Sequence, residues 1–371
     1  MSRFGTDLLR ILSVTFIIFN HVSWSYFARN GTSSQMPMDM LVAFFNQLGK
    51  PSVLIFIFLS GLAFARHRMN ARFHPLTFYK NRASRILPPY LLATFLGIYF
   101  FDTASLNDII PVLFAGGGMY HLYFVALISY CYLLFPIMRK IPPTRFNIVL
   151  GAGSFLLLHF FLAVFFPSTT NPELSYFLKE TFQISQTFQV SDFILNWIDF
   201  LSYAILFFQS GIWIGRKNDR EKSRRILFFI TASALMTAAF AFVYTDFFFR
   251  IHSGVHADPA GRVWRMSVLL YAASWIFLLR NIKKDSNPFM RRMARASFLV
   301  YLFHPFLINM TKSWGYSFPV LHTAGIISAS WILSVLLQEI ALRFHFAGFL
   351  LGEGDKLIEK KDPPAPVHSL S

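Results

Sequence analysis

The feature that most constrains the fold of this chain is a series of apolar runs, each near the length that crosses a membrane. About 20 apolar residues in a helix cover the ~30 Å hydrocarbon core of a bilayer. We predict ten spans, at residues 8–27, 41–65, 86–101, 119–138, 147–167, 199–215, 226–246, 265–280, 295–311 and 323–345. Residues 106–118 could form a re-entrant or interfacial piece. The sequence therefore predicts an all-α polytopic membrane protein with about ten transmembrane helices.

Composition agrees with this class. The chain is 55% hydrophobic and only 14% charged, with a mean hydropathy of +0.48, whereas soluble domains carry about 25% charged residues. The single cysteine, Cys131, excludes an intrachain disulfide, and no Cys/His cluster has metal-ligand spacing, so no metal site is expected. We expect one transmembrane domain over 1–346 and a short, polar, proline-containing cytoplasmic tail over 347–371. The N-terminus lacks a small-x-small cleavage site, so we expect the first span to be retained.

The distribution of positive charge predicts the orientation. Cytoplasmic loops are enriched in Lys and Arg, and 27 of the 34 such residues fall in the N-terminus, alternate loops and the tail. This predicts that both termini are cytoplasmic in a multi-pass protein of the cell membrane. The net charge of +16 then mostly reports orientation, and we do not expect nucleic-acid binding.

His21 lies deep inside the first apolar run, where a histidine is costly unless it faces a protein interior or a wet cavity. On a helix, the eleven steps from Arg10 to His21 return to within about 20° and rise ~16 Å. Asp7 falls on the same face. The pattern predicts an Asp7–Arg10 ion pair near one membrane surface and an imidazole above it. A buried histidine bonded to a neighbouring helix is the alternative.

Arg82 and Arg85 precede the third span at an i,i+3 spacing that points them the same way on a helix. Paired guanidinium groups at a helix start suit phosphate oxygens. Topology signalling, with attraction to anionic lipid, explains the same residues, and spacing alone favours it.

Other polar residues lie within or near later spans. His121 lies at the outer start of span four, and His304 precedes Pro305 in span nine. His304 could belong to a reaction centre, or it could satisfy the backbone carbonyl that Pro305 leaves without a hydrogen-bond donor. Periodicity alone favours the second role. Glu339 could pair with Arg343 or relay protons. The outer segments 168–198 and 247–264 could contact a glycan or be unspecific loops.

Four motifs, in order, resemble the acyltransferase family 3 integral-membrane proteins, over about residues 1–345. They are Asp7-Leu8-Leu9-Arg10 followed by His21, Phe58-Leu59-Ser60-Gly61, Arg82-Ala83-Ser84-Arg85-Ile86-Leu87-Pro88, and Tyr301-Leu302-Phe303-His304-Pro305. The piece at 120–124 also resembles the family, with Tyr123 replacing its usual tryptophan. The lead-in at 50–56 matches only loosely, and we do not expect the extracytoplasmic domain that some members carry.

The resemblance implies transfer of an acyl group, usually acetyl, from cytoplasmic acyl-CoA to a hydroxyl of a cell-surface or exported carbohydrate or glycolipid. No cofactor stays bound; acetyl-CoA or another acyl-CoA is the donor. The resemblance gives the candidate residues roles: His21 as catalytic base or acyl relay, Asp7 and Arg10 as residues ordering the site, Arg82 and Arg85 as contacts for the CoA phosphates, and His304, Tyr301, Ser60 and His121 as supporting residues. Polysaccharide-assembly proteins are possible partners beside the lipid bilayer.

Two other functions stay open on the sequence. One is a transporter or flippase for a glycan or lipid-linked sugar, with His21 and Glu339 relaying protons. We see no internal repeat between the halves, and this argues mildly against it. The other is a silent scaffold in a polysaccharide-assembly complex.

Overall fold

The computed structural model describes residues 1–30, 37–68, 73–103, 109–165, 192–216, 225–252, 265–280, 282, 284–311 and 319–353. Over these ranges the chain is almost entirely helical and contains no strand. Most of the predicted outer segments 168–198 and 247–264 lies outside the described residues, as does the tail after Glu353. The all-α prediction is confirmed.

The described helices are α1 (Arg3–Asn30), α2 (Pro37–Gly49), α3 (Ser52–Arg68), α4 (Pro75–Phe101), α5 (Ile109–Ala115), α6 (Tyr123–Met138), α7 (Arg145–Phe165), α8 (Asp192–Arg216), α9 (Arg225–His252), α10 (Met266–Arg280), α11 (Pro288–Met310), α12 (Pro319–Arg343) and α13 (His345–Leu350). Seven helical stretches among them are long and apolar enough to cross a membrane, and α6 and α10 are shorter apolar helices. This supports a multi-pass membrane protein, whereas the count of ten spans and the cytoplasmic termini stay predictions.

The second predicted span is interrupted. Residues 41–65 were expected to form one helix, but α2 ends at Gly49 and α3 begins at Ser52. Pro51 has no N–H to donate, so one hydrogen bond of the helical ladder is missing where α2 ends. Its carbonyl instead accepts the Ile55 N–H at 3.0 Å, at the start of α3.

Close packing of α3 against α8 fixes the position of the Ser60 segment. A Cβ atom on Gly61 would overlap the backbone carbonyl of Phe208, and one on Gly211 would overlap that of Phe58. Two glycines thus face the opposite backbone in both directions. Small residues at such crossings let membrane helices approach closely.

A buried polar network joins α2, α9 and α10. The Arg265 guanidinium, which is fully buried, donates to Asp246 Oδ2 at 2.8 Å and to Gln47 Oε1 at 2.5 Å. Ser267 also donates to Asp246 Oδ2 at 2.6 Å, and Arg250 donates to Oδ1 at 2.9 Å. Since buried charges persist only when they are paired, this network holds the three helices in register.

The helix that carries Arg82 and Arg85 begins earlier than the sequence suggested. The apolar run starts at residue 86, but α4 starts at Pro75, where proline suits the first helical turn. Both arginines therefore lie inside the helix. The expectation that they lie at a helix start is wrong, and any affinity for phosphate must come from their guanidinium groups.

Candidate active site

Three histidines from distant parts of the chain meet at the centre of the helix bundle. The rings of His21 on α1 and His304 on α11 are stacked with centroids 5.3 Å apart. The ring of His121, in the turn before α6, lies 5.5 Å from that of His304. His121 and His304 are buried, whereas His21 is partly exposed. We call these three residues the histidine cluster.

Two tyrosines complete the surroundings of the cluster. The Tyr120 ring, which is half exposed, lies 4.7 Å from that of His21 between centroids. The Tyr301 ring lies 5.2 Å from that of His121, and its hydroxyl donates to the His121 backbone carbonyl. That hydrogen bond ties the turn before α6 to α11, so one residue of α11 fixes His121 while another, His304, touches it.

Glycines allow this turn to lie against α4. Gly116 has a φ of +71°, in the left-handed region that favours glycine. A Cβ on Gly97 of α4 would overlap the carbonyl of Gly118, so the two segments are in backbone contact. The Gly116-Gly117-Gly118 sequence thus delivers His121 to the bundle centre.

The hydrogen bond of His304 defines its free nitrogen. Nδ1 lies 3.0 Å from the Val300 carbonyl oxygen, which can only accept, so Nδ1 carries the proton. Nε2 is buried and has no hydrogen-bond partner among the described residues. Among the described residues, neither ring nitrogen of His121 has a hydrogen-bond partner. Periodicity favoured a role for His304 in satisfying the backbone near Pro305, and its bond to the Val300 carbonyl fits that role, while its ring also lies against the other two histidines.

The predicted pair at the base of α1 is present. Asp7 Oδ1 and the Arg10 guanidinium are 3.9 Å apart, and Asp7 is buried while Arg10 is partly exposed. Arg10 lies about 16 Å below His21 along the same helix. This separation is half the thickness of the hydrocarbon core.

A cavity of about 320 Å³ lies beside Arg10 and is lined on another side by Tyr301. At one end it is lined by four arginines, and at the other it is bounded by Phe124 and Tyr301; Ser60 and Tyr132 lie along its wall. The arginines are Arg10, Arg82, Arg85 and Arg295. Because Tyr301 also contacts His121, its side chain forms the boundary between this arginine cavity and the cluster.

A second polar cavity of about 460 Å³ adjoins the first and shares Arg10 and Arg295 with it. Arg3 and Arg291 add to its positive charge, with Asp7 the acidic residue of its lining. A concave site with an excess of one sign of charge attracts ligands of the opposite sign. The combined site is therefore suited to a polyanion.

The segment after α13 forms part of the wall of the arginine cavity. Leu351 packs with Leu299 and Ala341. Gly352 adopts a φ of +77° and lies against the Arg85 backbone carbonyl. Buried Glu353 follows and lines the cavity beside the arginines. The first residues of the predicted tail thus form a wall of the site.

Sequence reasoning missed Arg295, Tyr120 and Tyr132. Arg295 was counted as a loop residue because the apolar run of span nine starts there, yet α11 begins at Pro288. The N-cap at Asn287, whose side chain accepts from the Met290 N–H at 2.7 Å, and the proline after it were the available signals.

Two other intramembrane groups belong elsewhere. Glu339 pairs with Arg292 of α11 at 2.8 Å, so the predicted Arg343 partner is wrong. Arg292 precedes His304 by twelve residues, or about 18 Å along α11, and this separates Glu339 from the histidine cluster. His159 pairs with Asp199 at 2.9 Å between α7 and α8, as a packed histidine.

Among the described residues, no group of three His, Cys, Asp or Glu is arranged to hold a metal ion.

Fold and site together define a multi-pass membrane protein with a cationic cavity, one wall residue of which, Tyr301, contacts a histidine cluster. A family profile described as an acyltransferase domain matches residues 4–339, and the chain belongs to this family. It is therefore a membrane acyltransferase. Comparison with curated proteins and with solved structures found no significant match.

Proposed function

We propose that the protein transfers an acyl group, acetyl in the simplest case, from cytoplasmic acyl-CoA to a hydroxyl of a cell-surface or exported carbohydrate. The observation that carries the proposal is the adjacency of two groups of residues. One cavity is lined both by four arginines and by Tyr301, the residue whose ring contacts His121 of the histidine cluster.

The arginine end fits the donor. CoA carries phosphate groups, and guanidinium groups bind phosphate oxygens through paired, charge-assisted hydrogen bonds. Arg82 and Arg85 come from α4, Arg295 comes from α11 and Arg10 comes from α1. The cations therefore line the cavity from three helices. The positive-inside pattern predicts that this end faces the cytoplasm, which supports a cytoplasmic acyl-CoA as the donor.

The histidine end fits the chemistry. The acceptor oxygen attacks the thioester carbonyl, a C–O bond forms, the C–S bond breaks, and CoA leaves with its sulfur protonated. A neutral imidazole nitrogen that takes the hydroxyl proton and then gives it to the sulfur balances the reaction. We assign this role to His21, because it is the partly exposed member of the cluster and lies against exposed Tyr120. His304, stacked on His21, holds the ring in place.

Asp7 and Arg10 take a supporting role. Their pairing orients the Arg10 guanidinium, which lines both polar cavities. In this account Arg10 belongs to the donor site together with Arg82 and Arg85. Ser60 forms part of the wall of the arginine cavity, and its hydroxyl donates to the Phe56 carbonyl at 3.0 Å.

The test uses purified full-length protein in lipid vesicles with acetyl-CoA, and measures CoA release with water as the acyl acceptor in place of the glycan hydroxyl. His21→Ala should reduce turnover by about 10²–10⁴-fold, the usual contribution of a general base. His252→Ala is the matched control, since His252 is exposed near the end of α9 and should retain activity. Wild-type turnover by His21→Ala would overturn the assignment.

The acceptor is tested in cells. A deletion strain should lose O-acyl groups from one class of surface glycan, measured by mass spectrometry, and the wild-type gene should restore them while His21→Ala does not. An unchanged O-acyl content across surface and exported glycans would contradict a carbohydrate acceptor and leave the donor half of the proposal to the vesicle assay.

A further inference from the structure

A third concave surface lies between α4, α5 and α6. Apart from Arg82, the residues that carry the argument below have no part in the reaction proposed above. This groove has a volume of about 450 Å³. Leu87, Phe114 and Leu133 lie in its lining and are between 50% and 66% exposed. Since α4 is long and apolar enough to span a membrane and α6 is a shorter apolar helix, we expect the exposed apolar side chains to face the bilayer.

The polar groups of the groove are turned to its own backbone. Four of the hydroxyls in the lining donate to main-chain carbonyls: Tyr79 to Leu133 at 2.9 Å, Tyr90 to Leu113 at 2.6 Å, Ser129 to Val125 at 2.7 Å and Tyr130 to Phe114 at 3.0 Å. A hydroxyl that already donates within the protein does not select for a polar occupant. The groove therefore presents mainly hydrocarbon to whatever fills it.

One charged residue lies among the described residues of the lining, and it lies toward the end of α4 that carries Tyr79. The Arg82 guanidinium is 5.3 Å from the centre of the Phe64 ring and lines both this groove and the arginine cavity. A cation at one end of an apolar groove complements an amphiphile with an anionic head.

The length of the groove matches one leaflet. From Tyr79 to Tyr90, the lining residues of α4 rise about 16 Å. Half of the ~30 Å hydrocarbon core is about 15 Å. The short helix α5 closes the far end, where its carbonyls accept the Tyr90 and Tyr130 hydroxyls.

We propose that this groove binds one acyl chain of a phospholipid in the leaflet next to the arginines, with the lipid phosphate at Arg82. The proposal goes beyond the reaction and does not depend on it, because the lipid needs only the groove. It places a membrane lipid beside the donor cavity, where its phosphate and an anionic ligand share one guanidinium.

The experiment uses the full-length protein in phosphatidylcholine vesicles that contain phosphatidylglycerol with a photoreactive diazirine on one acyl chain. After illumination, adducts are mapped by mass spectrometry. Groove residues of α4 and α6 should be labelled severalfold more than the exposed apolar face of α7. Equal labelling of both faces would mean ordinary surrounding lipid and would overturn the proposal.

Variants test occupancy directly. The indole of Ser129→Trp should fill part of the groove. If it displaces two methylene groups of the acyl chain, the affinity for the lipid and the groove labelling should fall about tenfold. Ser154→Trp is the matched control, since Ser154 is exposed on α7, and it should leave groove labelling unchanged. Ala83→Trp, at an exposed residue of the groove lining, gives a second filled variant should Ser129→Trp fail to fold. Undiminished labelling in a folded filled variant would refute the site.

Two further probes test the headgroup and the source of the chain. Diacylglycerol with the same photoreactive chain should label the groove less than the phospholipid does, and Arg82→Gln should remove that difference. Equal labelling of wild type by both probes would exclude a phosphate site at Arg82. Labelling by a photoreactive long-chain acyl-CoA, but not by the phospholipid, would assign the groove to the donor and overturn the proposal.

Discussion

Arg85→Gln is the change that most clearly separates donor binding from chemistry. Arg85 is partly buried and lines the arginine cavity from α4. It lies about 16 residues before the C-terminal end of that helix. Glutamine keeps the length of the side chain and a polar end but removes the charge and the fork of donors. The variant should therefore lose contact with a CoA phosphate and leave the histidine cluster intact.

The magnitude follows from the setting of the arginine. A hydrogen bond to a charged group contributes about 1.5–3 kcal/mol, and the open cavity lowers that figure through solvent screening. A loss of about 1–2 kcal/mol corresponds to an increase of roughly 5–30-fold in the KM for acetyl-CoA. Since the phosphates are remote from the reacting atoms and are bound equally in ground and transition states, kcat should change little.

The assay is steady-state CoA release by protein in vesicles over a range of acetyl-CoA concentrations. Arg292→Gln is the matched control: Arg292 is exposed on α11 and pairs with Glu339, a contact worth only about 0–1 kcal/mol. Its KM should equal that of wild type. A reduced kcat with an unchanged KM in Arg85→Gln would refute the reasoning, because it would make Arg85 part of the chemical step.

Three further predictions concern the site and its support. Tyr301→Phe removes the hydrogen bond to the His121 carbonyl and should lower kcat about tenfold while acetyl-CoA binding, measured by calorimetry, stays at the wild-type value; an unchanged kcat would contradict the boundary role. His304→Ala should lower kcat without changing the KM for acetyl-CoA, and an increase in KM alone would place His304 in donor binding instead. Gly211→Leu should prevent the close approach of α3 and α8 and reduce the yield of folded protein on size-exclusion chromatography, whereas Gly153→Leu, in open space, should not; equal yields would show that this crossing tolerates separation.

The sequence predicts the class of fold and the α1 part of the site because both depend on local periodicity. The apolar runs define most spanning helices, and the eleven-residue step from Arg10 to His21 is a property of one helix. The Asp7–Arg10 pair is likewise local. These features were available without any tertiary contact.

The remaining features depend on contacts between distant segments. Nothing in the local pattern brings His121 and His304 to His21, because that contact comes from the packing of a glycine-rich turn and α11 around α1. Glu339 had a local partner available in Arg343, but the structure gives it Arg292 on another helix. Helix starts were also misplaced where charged turns extend beyond the membrane core, and this hid Arg295.

The central account is that acyl-CoA binds at the arginine end of the cavity and reacts beside the histidine cluster, and its most direct test is a sided measurement. Vesicles are prepared with the arginine end of the protein facing either outward or inward, and radiolabelled acetyl-CoA is added only outside. The account predicts CoA release in the first preparation alone, lost in His21→Ala and retained in His252→Ala. Release at equal rates from both orientations, or undiminished release by His21→Ala, would contradict it.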